Sequence, residues 1–286
     1  PALHFKSIIR DARSIILAGG TMEPINSVIR DLMAVDDKHV DIFSCNHVVS
    51  PDNVLPIIFQ RAPSNRFFNF SYLERTKQST IDELGLAISA LSKIVPKGMV
   101  VFLPSYGYLD RVMLRWKNNG VLAKIQLKKP VFFEPKLAKD VDDTLTRYKH
   151  AIDFKDGAII FCVVNAKLSE GINFGDDMAR AVVMVGLPFP HAGDAELKEK
   201  MKFLDRKYGS SANAGRQYYE DLCMKAVNQS IGRAVRHQND HAAIILLDHR
   251  YTRKSIQNKL PKWIMGGMKG DVALNFNSNL SLLNTF

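Results

Sequence analysis

Two short runs of the sequence consist almost entirely of apolar residues: AIIFCVV at Ala158–Val164 and AAIILL at Ala242–Leu247. A strand with one wet face alternates apolar and polar residues, whereas a strand covered on both faces does not. We therefore expect a mostly parallel central sheet with helices on both faces. Weaker apolar runs predict six further strands, at Ser14–Leu17, Val40–Phe43, Phe67–Tyr72, Met99–Leu103, Val131–Phe133 and Ala181–Val185.

Stretches with helical spacing separate many of these runs, and repeated strand–helix units predict an α/β fold. The predicted helices are Thr80–Ile94, Tyr106–Asn118, Val141–Asp153, Ala195–Lys207 and Arg216–His237. We divide the chain into one lobe over residues 1–254 and a C-terminal extension over 255–286. Because the extension is less periodic and contains three glycines, we expect a frayed end.

The charge balance indicates the kind of partner. The 286 residues include 39 Lys and Arg against 29 Asp and Glu, and the net charge of +10 favours a polyanion such as nucleic acid.

No apolar run approaches the roughly 18 residues of a membrane span, and no secretory signal opens the chain. Cys45, Cys162 and Cys223 are too far apart for a disulfide framework or a metal site, which predicts a reducing compartment.

A metal site is also not predicted from the histidines. His237 and His241 are four residues apart, but no third ligand lies nearby in the sequence.

The glycine-rich loops that hold nucleotides, GxxxxGK[ST] and GxGxxG, do not occur. We therefore expect any ATP chemistry to be shared with another lobe. The chain begins at Pro1, which suggests a piece of something longer.

The most specific segment is QSIGRAVRH, Gln229–His237. On one continuous helix, Gln229, Arg233 and Arg236 would project from the same face, and Gly232 would allow another surface to approach closely. Two guanidinium groups and an amide suit the charge that develops on a transferring phosphoryl group. We predict a catalytic role for these three residues and expect the arginines to face the carboxyl edge of the sheet. The alternative is a solvated basic face.

The second segment is SEGINF, which follows a predicted buried strand. Loops at the carboxyl ends of parallel strands are the usual ligand sites of α/β sheets. We predict that Glu170, Gly171, Asp176 and Gly232 bind nucleotide, with the two acids accepting from a ribose or from the arginines. The alternative is a surface loop with a glycine turn.

Four residues are candidates for DNA contacts. In VVFLPSYGYL, Val100–Leu109, a strand leads into a helix that Ser105 could cap, and the free N–H groups of a helix start suit a phosphate. Tyr106 could stack on a base or equally be a core tyrosine. Lys167 and Ser169 could bind backbone phosphates.

Together with AGGTM at Ala18–Met22, these segments resemble motifs three to six of the C-terminal motor lobe of XPD-like iron–sulfur DNA helicases of superfamily two. The AGGTM-x-P pattern and the stretches His47–Asn65 and Gln229–Tyr251 resemble most the chromosome-loss (ChlR-type) branch, which acts in sister-chromatid cohesion. In one place the chain departs from the pattern: Asn173 stands where relatives often have Asp.

The resemblance implies a RecA-like lobe of an ATP-dependent helicase that moves 5′ to 3′ on single-stranded DNA. It implies a nuclear protein with roles in replication, repair and cohesion, and with replication or cohesion proteins as possible partners. ATP and Mg²⁺ would be held mainly by an N-terminal helicase lobe, which would also carry a 4Fe–4S cluster. This chain would be inactive alone. The alternatives are a non-catalytic DNA- or protein-binding module, another XPD-like helicase, or a small-molecule α/β enzyme.

Overall fold

The computed structural model describes residues 2–19, 22–29, 39–43, 48–168, 172, 174–209, 213–268 and 275–286. Its centre is a six-stranded sheet in the order β1-β6-β5-β2-β4-β3, in which every neighbouring pair is parallel. The strands are β1 Val54–Phe59, β2 Gly98–Leu103, β3 Val131–Phe133, β4 Ala158–Val163, β5 Ala181–Val185 and β6 Ala242–Leu247. The predicted parallel sheet is confirmed.

Helices cover both faces of this sheet. In chain order they are α1 Ala2–Asp11, α2 Ile25–Val28, α3 Gln78–Ile94, α4 Tyr106–Asn118, α5 Val121–Gln126, α6 Val141–Phe154, α7 Ala195–Tyr208, α8 Ala214–Ile231, α9 Lys254–Gln257, α10 Lys262–Gly267 and α11 Phe276–Thr285. Successive residues of a strand point to opposite faces, so Phe102 packs in the core with α6 and α8, while Val101 packs in the core with α3 and α4.

The strand predictions fail where a run has no neighbour in the sheet. Ser14–Leu17 and Val40–Phe43 are irregular, and Phe67–Tyr72 forms only an isolated bridge between Phe67 and Arg61. Conversely, β1 is a strand that the sequence does not predict, because Pro56 interrupts its apolar run. Proline has no N–H to donate but is tolerated in an edge strand, and β1 pairs only with β6.

The C-terminal extension packs on this edge strand. Its amide at Asn279 donates to the Ile58 carbonyl at 3.1 Å, and the ring of Phe276 meets that of Phe59 edge-on at 5.2 Å. Leu283 is also buried in the core. The prediction of a frayed end is therefore wrong for residues 275–286, whose apolar side chains cover β1.

Parallel pairing gives the sheet two chemically distinct edges. All strands start at what we call the amino edge and finish at the carboxyl edge, and a six-residue strand separates the two by about 20 Å. Within the described ranges, no helix combines the length and the apolar character that a membrane span requires.

Candidate nucleotide and nucleic-acid sites

The QSIGRAVRH segment is not one continuous helix. Helix α8 ends at Ile231, and Gly232 caps it by donating its N–H to the Asn228 carbonyl at 3.0 Å. The prediction of a helix to His237 is therefore wrong. Glycine weakens the helix at this point, and the N–H of Arg236 donates to the Asp240 carboxylate at 3.2 Å instead of continuing the helical ladder.

The two arginines lie near the amino edge of the sheet, so the expectation that they face the carboxyl edge is also wrong. The chain must return from the end of β5 to the start of β6, and the end of α8 therefore reaches the edge where strands begin. Arg236 is close to Gly175, where an added Cβ would stand 3.3 Å from the Arg236 Cγ. The carboxyl-edge rule thus gives no support to a catalytic role for this pair.

A buried acid that the sequence analysis did not single out organises this region. Asp240 is almost fully buried. Its Oδ2 accepts the backbone N–H groups of Arg236 at 3.2 Å and Asp176 at 3.3 Å. Its Oδ1 accepts from the Arg180 guanidinium and from the N–H of His241, both at 2.9 Å. We call Gln229–His237 the arginine segment. One carboxylate therefore fixes the backbone of this segment against the residues that lead into β5 and β6.

The three predicted catalytic side chains differ in exposure. Gln229 is exposed in the last turn of α8, and Arg236 is exposed beyond it. The Arg236 guanidinium forms no ion pair with any described residue. Arg233 is half-buried and donates to the Ile172 carbonyl at 3.1 Å. Arg236 is therefore the arginine best placed to reach a group outside this chain.

The predicted nucleotide-binding residues are only partly described. Glu170 and Gly171 lie outside the described residues, as does Ser169 among the predicted DNA contacts. Asp176 is exposed, and its Oδ1 lies 2.9 Å from Nε2 of His237. It therefore contacts the histidine of the arginine segment and not the arginines, which were one of its two predicted partners. The N–H of Gly232 is used to cap α8.

The expectation that no further ligand lies near His237 is wrong, because Asp176, His237 and Asp240 bring three possible metal-ligand atoms within 4.8 Å of one another. Both Asp240 oxygens already accept two hydrogen bonds each, and one of them forms an ion pair with Arg180. A carboxylate that is neutralised and fully hydrogen-bonded has little to offer a cation. We interpret the group as a structural cluster that holds the arginine segment.

The predicted DNA contacts lie at the carboxyl edge. Ser105 caps α4 as predicted, since its Oγ accepts the Tyr108 N–H at 3.2 Å. Ser105, Tyr106 and Lys167 line a cavity of about 470 Å³ between the ends of β2 and β4, together with Lys136. Lys167 is exposed. The structure therefore brings together three of the four predicted contacts.

A second buried acid, also missed by the sequence analysis, supports this cavity. Glu134 accepts the N–H groups of Val163 at 2.7 Å and Leu168 at 2.8 Å, and its carboxylate interacts electrostatically with the Tyr106 hydroxyl. Burial raises the pKa of Glu134, and the two N–H donors oppose that shift. Burial together with Glu134 raises the pKa of Tyr106 to about 12. Glu134 thus joins the start of α4 to the loop after β4.

The structure partly supports both predicted roles of Tyr106, that of a base-stacking ring and that of a core tyrosine. It is half-buried and packs against the core, yet it also lines the cavity. The connection from β4 to β5 starts beside this cavity, and Gly175, near its other end, lies against Arg236. The two candidate sites therefore lie at opposite edges of the sheet, with one connection between them.

Comparisons with known proteins agree on one family. The model of the helicase C-terminal domain matches residues 88–266. The chain is 44% identical over 277 residues to the ATP-dependent DNA helicase DDX11 of Mus musculus, covering 92% of this chain and 31% of the relative. It is 38% identical over 291 residues to the ATP-dependent DNA helicase chl1 of Schizosaccharomyces pombe, covering 100% of this chain and 34% of the relative.

Among solved structures, one named XPD_Helicase resembles this chain with a TM-score of 0.59 at 21% identity, covering 88% of this chain and 42% of that one. At this identity the likeness concerns the fold, and it agrees with the parallel α/β lobe described above. The chain spans about a third of the length of the curated relatives it matches.

Proposed function

The chain belongs to the family of helicase C-terminal domains, and from that membership we propose that it is the C-terminal motor lobe of an ATP-dependent DNA helicase. The names of its relatives support this proposal, because both are ATP-dependent DNA helicases. In that role the chain supplies part of a catalytic pocket and part of a DNA-binding surface, and a phosphate-loop lobe supplies the rest.

The observation that carries the proposal is the exposed guanidinium of Arg236 on a backbone that a buried carboxylate holds in place. In the assembled motor, Arg236 would approach the γ-phosphate of ATP, which the partner lobe would hold with Mg²⁺. An arginine supplied to a phosphoryl group in this way raises the rate by roughly 10³- to 10⁵-fold. Arg233, Gln229 and Asp176 would line the same side of the pocket.

The carboxyl edge would hold the nucleic acid. Ser105 and the start of α4 offer N–H and hydroxyl groups, Lys167 offers a cation, and Tyr106 offers an aromatic ring at the cavity. These groups suit backbone phosphates and a stacked base of single-stranded DNA. Such binding tolerates different sequences and weakens as salt is added.

Two large apolar side chains in the first part of the chain, Ile16 and Phe43, are 90% and 89% exposed. Single exposed apolar residues are common on protein surfaces, so they carry no argument for a partner lobe on their own. By the resemblance described above, the 4Fe–4S cluster would belong to the N-terminal helicase lobe. Cys162 and Cys223 of this chain are buried in its core.

The resemblance to the chromosome-loss branch extends the proposal. We propose a nuclear enzyme that moves 5′ to 3′ and serves replication, repair and sister-chromatid cohesion. The names of the two relatives support the helicase class, and the finer roles follow from the AGGTM-x-P pattern and the other stretches described above.

The test is the ATPase activity of this chain combined with its N-terminal lobe. We expect Arg236→Ala to lower DNA-stimulated turnover by at least about 10³-fold while single-stranded DNA binding persists. Arg253→Ala, at another exposed arginine, is the matched control and should retain activity. The 286-residue chain alone should not hydrolyse ATP. Wild-type turnover in the Arg236→Ala protein would overturn the catalytic assignment.

A second candidate is a DNA-binding module without catalysis. Two features favour it: Lys136 and Lys167 line the carboxyl-edge cavity, and the net charge is +10. Retained DNA binding with no ATPase activity after addition of the N-terminal lobe would favour this module over the motor.

A further inference from the structure

A segment beside the cavity is firmly anchored to the carboxyl edge. The N–H of Phe70 donates to Asp248 after β6 at 2.9 Å, and the N–H of His249 donates to the Phe68 carbonyl at 2.9 Å. The rings of Phe68 and Phe70 are buried. The residues that follow therefore start from a fixed backbone, and Tyr72, two residues after Phe70, is 69% exposed.

Three residues beyond Tyr72 lies Arg75, whose guanidinium is close to two aromatic rings. Its Cζ is 5.4 Å from the ring centre of Tyr72 and 5.6 Å from that of Tyr108. Tyr108 belongs to the first turn of α4, which Ser105 caps. The Tyr72–Arg75 pair therefore lies at the same carboxyl edge as the cavity that we propose for DNA, against the helix that starts there.

Arg75 is half-buried, yet no acidic side chain among the described residues forms an ion pair with it. Burial lowers the pKa of its guanidinium, and the nearby positive charge of Arg250 acts in the same direction. Buried cations are normally paired. An anion bound at this position would therefore stabilise the arrangement.

An orphaned hydroxyl lies beside this cation. The Tyr108 hydroxyl is buried and has no hydrogen-bond partner in the described part of the chain. Most buried polar groups in native proteins have a partner, and an exception calls for a specific explanation such as a ligand or a water. Together, Arg75 and Tyr108 provide an unneutralised cation and an unused hydroxyl at one place.

We infer that Tyr72 and Arg75 form a second single-strand contact, in which Arg75 binds a backbone phosphate and Tyr72 stacks on an adjacent base. This inference rests on the proposed function and extends its DNA surface beyond Ser105, Tyr106 and Lys167. Single-stranded DNA is the occupant because it alternates phosphates with flat π-faces, which matches a guanidinium beside an exposed ring. An acidic protein segment would match only the charge.

The test measures binding of a fluorescent oligo-thymidine to the 286-residue chain by anisotropy at several salt concentrations. Tyr72→Ala should weaken binding by roughly five- to a hundredfold, and Tyr72→Phe should restore it because the ring remains. Arg75→Gln should weaken binding and reduce the slope of log K against log salt by about 0.7, the value for one phosphate contact on a single strand.

Two further variants make the result decisive. Leu73→Ala changes a neighbouring side chain that is 75% exposed and should leave binding unchanged. Lys167→Ala should weaken binding under the proposed function. If Lys167→Ala weakens binding while Tyr72→Ala and Arg75→Gln do not, the second contact is refuted and the proposed function stands. If the wild-type chain does not bind the oligonucleotide, the proposed DNA surface itself fails.

Discussion

Asp240 provides the sharpest test of how the arginine segment is held. Replacing Asp240 by alanine removes the acceptor of four hydrogen bonds and leaves Arg180 with a single carboxylate, that of Asp177 at 3.0 Å. Breaking a buried ion pair by removing one partner costs about 3–5 kcal/mol of unfolding free energy. Because Asp177 still neutralises Arg180 in part, we expect about 3 kcal/mol.

The structure contains a matched control for this change. Asp177 bonds to the same Arg180, but its side chain is 48% exposed. Exposed ion pairs contribute about 0–1 kcal/mol, so Asp177→Ala should change the unfolding free energy by no more than about 1 kcal/mol. Urea unfolding with comparison of midpoints and slopes measures both variants. If Asp240→Ala is no more destabilising than Asp177→Ala, Asp240 does not hold the segment as we describe.

Two buried ionisable groups give predictions for the pH dependence of stability. Burial raises the pKa of Glu134 in the folded state, so the folded chain binds this proton more tightly than the unfolded chain does. The free energy of unfolding should therefore fall as pH rises from about 4.3. Urea titrations at several pH values should show that this part of the decline is absent in Glu134→Gln. Burial lowers the pKa of Lys129 to about 8, so between about pH 8 and 10.4 the unfolded chain binds the extra proton. Wild-type stability should therefore rise relative to Lys129→Met across that window, and parallel curves for the two proteins would contradict the burial of a titrating amine.

The sequence predicts the centre of the sheet well because its strands are covered on both faces. β4 and β6 consist of buried apolar residues only, so no polar residue interrupts their apolar runs. β1 escapes prediction because Pro56 is acceptable only at an edge, and edge position is a property of the whole sheet. The apolar run at Ser14–Leu17 predicts a strand, but a strand also needs a neighbour, which a local pattern does not reveal.

The sequence suggests candidate site residues one at a time and does not show how they are arranged. The local signals for the Ser105 cap and for the arginine spacing are present in the sequence. The backbone beyond the end of α8 is held by Asp240, whose carboxylate accepts the N–H of Arg236. Glu134 acts on residues 29 and 34 positions away. Single acids with such distant partners carry no periodic signal in the sequence, so their contacts are seen only in the three-dimensional structure.

The parallel sheet sets about 20 Å between its two edges, and this distance has a pharmacological consequence. Under the proposed function, a ligand bound between the ends of β2 and β4 would compete with nucleic acid without occluding the arginine segment at the opposite edge. Its inhibition would then be competitive towards DNA and non-competitive towards nucleotide, so steady-state kinetics could tell from which edge an inhibitor acts.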